Sequence, residues 1–363
     1  MSSQTTLTLV AGARPNFMKI ASIAHAVRDS SQNVTCRIVH TGQHYDDKLS
    51  DVFFRELEIP PPDHNLNIGS STHAEQTAKI MMGFDEYLQS NPCDCVVVVG
   101  DVNSTLACTL VAAKRSVAVA HVEAGLESGD LAMPEEVNRR ATDSLANFLF
   151  CTSQQAVENL KRRGRQASDI FLVGNTMIDT LSRNLKKIKR PSCLDRLPNK
   201  GERFALCTLH RPSNVDDETT LEKILAAISQ NAKIPVVFPV HPRTRRTLPN
   251  WLDKGSTIFL EDPLGYTEFL YLTKHSEFVL TDSGGIQEET TFLQIPCLTL
   301  RKNTERPETV DLGTNEIVGI EPEAISSAIH KVQNGKWKQG QVPPLWDGRA
   351  GERIVGQLVS LLS

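Results

Sequence analysis

The sequence predicts an α/β protein of two Rossmann-like domains whose parallel sheets face a central cleft, and three observations predict it. Short runs that are apolar throughout, rather than alternating, recur along the whole chain. Strands read this way when helices cover both faces of their sheet. Roughly 20–30 residues separate successive runs, room for a crossover helix each time. Polar and charged residues gather directly after these runs, where doubly wound sheets bind their ligands.

In chain order, the first half offers Leu7–Ala11, Cys36–Thr41, Cys95–Gly100, Val117–Val122, Phe148–Cys151 and Ile170–Val173. The second half offers Phe204–Leu209, Val236–Val240, Thr257–Leu260, Phe278–Thr281, Cys297–Leu300 and Ile317–Ile320. Charge, Pro and Gly cluster over Lys186–Arg203 and mark the break between the sets. The expected organisation is an N-terminal domain over 1–185, a linker over 186–203 and a C-terminal domain over 204–345. A closing segment, 346–363, is expected to cross back onto the first domain. No short repeat and no low-complexity stretch interrupts the pattern.

Bulk properties narrow the class. With 363 residues, the chain suits two domains better than one. Its 39 Lys and Arg against 43 Asp and Glu give a net charge of -4, without the basic surplus of a nucleic-acid binder. No apolar run approaches the ~20 residues that cross a bilayer. The N-terminus lacks a basic stretch and reads as a first strand rather than a signal peptide. Of eight cysteines only Cys93 and Cys95 are close, and they form no C-x-x-C pair. Most of the others lie within apolar runs, as reduced buried thiols do. A soluble, cytoplasmic, metal-free protein is the working class.

Several residues at the ends of the predicted strands carry chemistry. Arg14 follows the first, Gln43 and His44 the second, Asp101 the third and Glu123 the fourth. In the second half the same positions hold His210, Arg211, His241, Asp282–Gly285, Arg301 and Arg306. Their convergence on one end of both sheets is what points to a cleft between the domains. Around Asp282-Ser-Gly-Gly285, a turn opens onto a helix, so backbone N–H groups and the helix N-terminus suit a diphosphate. Glu288 and Glu289 lie in the first turns of that helix and are candidates for ribose hydroxyls; the plainer account is acidic residues that favour a helix start. Arg306 offers bidentate geometry to phosphate oxygens, and Arg14 and Lys19 add positive charge across the cleft.

Asp101, Glu123, Glu135 and Glu136 form the acidic set, candidates for acid/base chemistry. Pro134 starts a helix on which Glu135–Arg139 and Glu136–Arg140 are spaced i,i+4. That spacing predicts two surface ion pairs of about 0.2–0.5 kcal/mol each. Without G-x-G-x-x-G or Y-x-x-x-K, nicotinamide chemistry is not indicated, and the scattered histidines show no metal-binding pattern.

Taken as an ordered set, the blocks resemble the non-hydrolysing UDP-N-acetylglucosamine 2-epimerases along essentially the whole chain. They are Gly12-Ala-Arg-Pro-Asn-Phe-Met-Lys19, Thr41-Gly-Gln-His44, Val99-Gly-Asp-Val-Asn-Ser104, His121-Val-Glu-Ala-Gly-Leu126 and Met133-Pro-Glu-Glu-Val-Asn-Arg139. Val173-Gly-Asn175, His210-Arg211 with Asn214, Pro239-Val-His241, Thr281-Asp-Ser-Gly-Gly-Ile-Gln-Glu-Glu289, Thr304-Glu-Arg-Pro-Glu308 and Trp346-Asp-Gly348 complete them.

The resemblance implies the glycosyltransferase-B architecture with UDP held mainly by the second domain. It implies reversible conversion of UDP-N-acetylglucosamine to UDP-N-acetylmannosamine, supplying a precursor for surface polysaccharide, with no cofactor and as a homodimer. Asp101, Glu123, Glu135 and His210 would be catalytic. Ser283, Gly284, Gly285, Arg306, Arg14 and Lys19 would hold diphosphate and uridine, with Arg139 beside the catalytic carboxylates. Glu289 would hold the ribose, and Phe269 would frame the uracil. Gln43, Arg211 and His241 match parts of an allosteric site, although Asp46 stands where the family has Gln. Family members carry Arg after Gly-Leu in the fourth block; here Glu127 reverses that charge, and Gly129 stands where close relatives often have Phe. The rival readings are a 2-epimerase acting on a UDP-2,3-diacetamido-uronate, a hydrolysing epimerase, a glycosyltransferase of the same architecture and a UDP-sugar binder without turnover.

Overall fold

The computed structural model describes residues 4–42, 54–242, 244–253 and 255–363, without the side chains of 14, 199 and 253. The first sheet has seven parallel strands: β1 Thr5–Ala11, β2 Val34–His40, β3 His64–Asn65, β4 Cys95–Val99, β5 Ala118–Val122, β6 Phe148–Cys151 and β7 Ile170–Leu172. Their order is β3-β2-β1-β4-β5-β6-β7. The second sheet has six: β8 Ala205–Thr208, β9 Val236–Pro239, β10 Ile258–Glu261, β11 Val279–Thr281, β12 Cys297–Thr299 and β13 Asn315–Ile317, ordered β10-β9-β8-β11-β12-β13. Both orders turn outward from an inner pair, β1/β4 and β8/β11. At such a switch point the following loops diverge and leave a crevice.

Two differences from the sequence reading are instructive. β3 was invisible because it is two polar, exposed residues held only by pairing with Val39 and His40. β13 begins two residues before its predicted start, because Asn315 is buried by hydrogen bonds and not by apolar character.

Period-two alternation explains the core of the second sheet. Val236, Phe238, Leu280 and Leu298 pack with Leu221, Ile224, Ile228, Ile325 and Ile329 on one face. Their neighbours Val237 and Val279 pack with Leu194, Leu197, Phe204 and Leu272 on the other. Cys193, Leu194 and Leu197, from the charge-rich stretch 186–203, thus lie in this core. All eight cysteines are free, six of them buried.

By its contacts the chain divides into two compact units, Met1–Arg183 with Pro344–Ser363 and Asn184–Pro343. The closing helix Ala350–Leu362 packs on the helix Arg14–Asp29. Asp179 fixes its start: the carboxylate accepts from the backbone N–H groups of Ala350 (3.1 Å) and Gly351 (2.7 Å) and from the Ser22 hydroxyl (2.6 Å). An acid there also meets the positive end of the helix dipole. Trp346 is buried and donates Nε1–H to the Thr152 carbonyl at 3.1 Å. Gly174, at φ +89°, lets the Leu345 carbonyl come where a Cβ would lie 2.1 Å away. Among the described residues, no helix is long and apolar enough to cross a membrane.

Candidate functional site

In the first unit, carboxylates stand at the ends of β4 and β5, beside the switch point. Glu123 follows β5 with φ +71°, a left-handed conformation that costs a non-glycine residue about 1–2 kcal/mol. Such residues persist where their surroundings hold them, and they cluster at functional sites. Here the hold is explicit. The Glu123 N–H donates to Phe150 at 3.0 Å, and the nearly buried carboxylate takes the Lys19 ammonium. A Cβ on Gly100 would sit 2.9 Å from that ammonium, so the glycine makes room for the pair.

Below them lies a fully buried dyad. His121 Nδ1 meets Asp143 at 2.7 Å, His121 Nε2 donates to the Gly100 carbonyl at 2.8 Å, and Asp143 accepts from the Gly125 N–H at 3.2 Å. The dyad therefore ties together the loops that carry Asp101 and Glu123.

The helix Pro134–Leu145 supplies the third side, and here the expectation of surface ion pairs fails. Glu136 does pair with Arg140, at 2.8 Å, but it is wholly buried. Arg139 does not pair with Glu135; it pairs with Glu136 at 2.7 Å and with Asp101. Ser128 donates its N–H (2.9 Å) and hydroxyl (3.0 Å) to the same Glu136 oxygen that Arg139 contacts. Burial pushes the Glu136 carboxyl up, but the Ser128 N–H, Arg140, the Ser128 hydroxyl and Arg139 together hold it below the usual range. The i,i+4 rule describes isolated helices; against a packed sheet the same residues become an internal network. Asn138 on this helix donates to the Asp101 carbonyl at 3.0 Å. Glu135 is half-buried and makes no ion pair among the described residues.

Glu127, the charge-reversing residue, has found partners of its own: Arg162 and Arg163, each at 2.8 Å. Arg163 and Ser128 had no signal in the sequence, because their partners are chosen by the packing of neighbouring helices and loops.

In the second unit the switch point between β8 and β11 is built around Asp282, which is fully buried. It accepts from the backbone N–H groups of His210 (3.1 Å) and Arg211 (3.0 Å), from Asn214 Nδ2 (3.1 Å) and from His210 Nδ1 (2.8 Å). Burial alone would raise this carboxyl; the His210 ring, its charge and the two N–H groups outweigh it, leaving Asp282 below the usual range. An ionised Asp282 keeps the proton on Nδ1, so Nε2 of the exposed His210 ring is left for a ligand.

Ser283 stands at the N-cap position of the helix Gly284–Leu293 without a capping side-chain hydrogen bond. A Cβ on Gly284 would lie 2.4 Å from Arg306 Nη1, so the guanidinium rests directly on the glycine at the helix start. Glu288 holds that guanidinium at 2.7 Å. Gly285 follows in the first turn. Glu289, one residue beyond Glu288, is buried, receives the Tyr266 hydroxyl at 3.4 Å and has an Oε2 with no hydrogen-bond partner among the described residues. Burial and the neighbouring Glu288 charge push its carboxyl up to about 8, against a smaller lowering by Tyr266. Phe269 lies on the helix Tyr266–His275, half-buried against the apolar cluster on that side.

Arg301 is not available as a second cation. It is buried and doubly paired to Glu305, both contacts 2.8 Å, and Arg211 reaches the same Glu305 at 3.4 Å. His241 is exposed beyond β9. Gln43 and the Arg14 side chain lie outside the described residues.

The family model described as UDP-N-acetylglucosamine 2-epimerase matches residues 26–359. The chain belongs to that family. The UDP-N-acetylglucosamine 2-epimerase of Methanocaldococcus jannaschii is 42% identical over 96% of this chain and 97% of its own. A crystal structure of the UDP-GlcNAc 2-epimerase of that organism, in complex with UDP-GlcNAc and UDP, superposes with a TM-score of 0.87 at 41% identity, covering 98% of this chain and 100% of the other. The UDP-2,3-diacetamido-2,3-dideoxy-D-glucuronate 2-epimerase of Pseudomonas aeruginosa is 39% identical over 98% of this chain and 99% of its own. Family membership and the fold class read from the sequence agree. Within each unit, the predicted residues come together: Asp101, Glu123, Lys19 and Arg139 in the first, and His210, Ser283, Gly284, Gly285, Arg306 and Glu289 in the second.

Proposed function

We propose that the protein interconverts UDP-N-acetylglucosamine and UDP-N-acetylmannosamine without net hydrolysis, by elimination of UDP and its readdition. The observation that carries the reading is the division of labour around the two switch points. Fixed carboxylates stand at one, and a helix N-terminus with Arg306 and an Asp282-oriented histidine stands at the other.

The C2–H of the sugar has no adjacent carbonyl and is too weak an acid for a carboxylate alone. Breaking the C1–O bond places positive character on the ring, and loss of the C2 proton to a carboxylate then gives a glycal and UDP. The charge left on UDP is met by Arg306, by the N–H groups at Ser283–Gly285 and by the Nε2–H of a doubly protonated His210, whose Nδ1–H stays on Asp282. Return of a proton to the opposite face of C2, with re-formation of the C1–O bond, gives the epimer. Carbon keeps its oxidation level, so no redox cofactor enters. Two carboxylate roles on different faces are needed, and Asp101, Glu123 and Glu135 are the groups to fill them. Arg14 and Lys19 complete the charge around the diphosphate, Glu289 receives ribose hydroxyls and Phe269 frames the uracil. Gln43, Arg211 and His241 are kept as candidates for a second UDP-sugar site. The reading places a homodimer in the cytoplasm, the dimer being open to sedimentation analysis.

The test is proton NMR with UDP-N-acetylglucosamine in deuterated water. The expected result is UDP-N-acetylmannosamine carrying deuterium at C2. Free N-acetylmannosamine with UDP would indicate hydrolysis instead, and bound UDP without exchange would overturn the reading for this sugar. The 39% identity to the diacetamido-glucuronate epimerase supports one alternative, an acidic sugar nucleotide. Running both UDP-sugars in the same assay separates the two.

A further inference from the structure

Five side chains of alternating charge run in sequence from the segment after β5 to the strand end of β4. Glu127 pairs with Arg163 at 2.8 Å; Arg163 lies 3.7 Å from Glu136; Glu136 pairs with Arg139 at 2.7 Å; Arg139 pairs with Asp101. We propose that Glu127, through Arg163, is a positioning residue that fixes Arg139 against Asp101. This rests on the epimerase reading for its catalytic consequence, though not for the coupling itself.

Glu136 joins the two halves of this line of charges. Its two oxygens are already occupied: Oε1 by Arg140 at 2.8 Å, Oε2 by Arg139 and by the N–H and hydroxyl of Ser128. Arg163 Nη2 lies 3.7 Å from Oε1, in ion-pair range but beyond hydrogen-bonding distance, and the charge of Glu127 holds it there. Without that charge, Arg163 closes on Glu136 and competes with Arg140, because a buried carboxylate attracts a nearby cation strongly where little water screens it. Glu136 then shifts off Arg139, and the contact that sets Arg139 against Asp101 is loosened. A second route reinforces the first. Docking Glu127 on Arg162 and Arg163 fixes the backbone of Ser128, the next residue, whose N–H is one of the groups that hold Glu136. Arg162 is the outer partner, mostly exposed and with no contact to Glu136 among the described residues, so it belongs to the anchoring of Glu127 and not to the line of charges.

Two measurements on Glu127→Gln, Arg163→Gln, the double variant and Arg162→Gln test this. The first is the side-chain Nε–H NMR signal of Arg139 in the arginine-labelled full chain, which reports its pairing whether or not any sugar turns over. It should move most in Glu127→Gln, less in Arg163→Gln and in the double variant, which leave no cation to close on Glu136, and least in Arg162→Gln, which removes only the outer anchor of Glu127. The second is steady-state epimerisation. Glu127→Gln should lower kcat about fivefold with KM nearly unchanged, and the double variant should be no worse than Arg163→Gln alone, as for residues acting through one contact. An Arg139 signal unmoved by Glu127→Gln would overturn the coupling. A loss confined to melting temperature or KM would overturn the positioning role. A wild-type protein without turnover defeats the epimerase reading, and the Arg139 signal still decides the coupling.

Discussion

The two switch points treat their charges in opposite ways. In the first unit the carboxylates at and beside the strand ends are, among the described residues and apart from Glu135, already paired: Glu123 with Lys19, Asp101 with Arg139, and Glu136 with Arg139, Arg140 and Arg163. In the second, capacity is left over. Among the described residues, His210 turns a nitrogen without a partner outward from Asp282, and Glu289 keeps a buried oxygen without one. The difference matches two tasks. Groups that move a proton at a stated carbon must be set before substrate arrives, since reorganisation during reaction raises the barrier. Groups that hold a nucleotide need donors and acceptors left open, which the ligand fills.

The comparison breaks most visibly if the two sets of residues are removed in turn. Asp101→Asn or Glu123→Gln should reduce kcat about 10²–10⁴-fold, the range for a lost acid/base group, while UDP affinity by calorimetry changes little. A matching loss of UDP affinity would erase the distinction.

Arg306→Ala should act the other way, weakening UDP binding about 10–100-fold, as loss of a charge-assisted contact does. Gly284→Ala should give a loss in the same direction, because its methyl group displaces the guanidinium.

Glu289 sharpens the comparison through pH. With its folded-state carboxyl at about 8 and its unfolded one near 4.5, the folded protein holds the extra proton between those values. The contribution to stability is therefore greatest at low pH and is lost as pH rises through about 8. Ribose hydroxyls donating to Oε2 favour the ionised form, so UDP binding near pH 7 should release up to about one proton. Calorimetry in buffers of different ionisation enthalpy reads this directly; Glu289→Gln should abolish the release, and proton-neutral binding by the wild type would remove Glu289 from the ribose.

The smallest effect lies away from both sites. Asp179→Ala should lower stability by about 1–3 kcal/mol in urea, by leaving the Ala350 and Gly351 N–H groups unsatisfied, with kcat nearly unchanged.

What the amino-acid sequence determined by itself was the local part. Continuous apolar runs with covered faces give parallel strands, and the turn after Thr281 gives a glycine-rich helix start, because both follow from residues close together in the chain. It also supplied the set of acidic and basic residues, legible by position after each strand. Partner choice was not legible. Lys19 meets Glu123 across 104 residues and His210 meets Asp282 across 72, because strand order brings β1 beside β4 and β4 beside β5 in one sheet and β8 beside β11 in the other. Glu136 read as a solvated helix residue and became the buried centre of a network, because which helix face turns inward, and what waits there, depends on packing. Glu127 shows the same limit: its reversed charge is plain in the sequence, but the two arginines that answer it come from another helix, and only the tertiary structure brings them within reach.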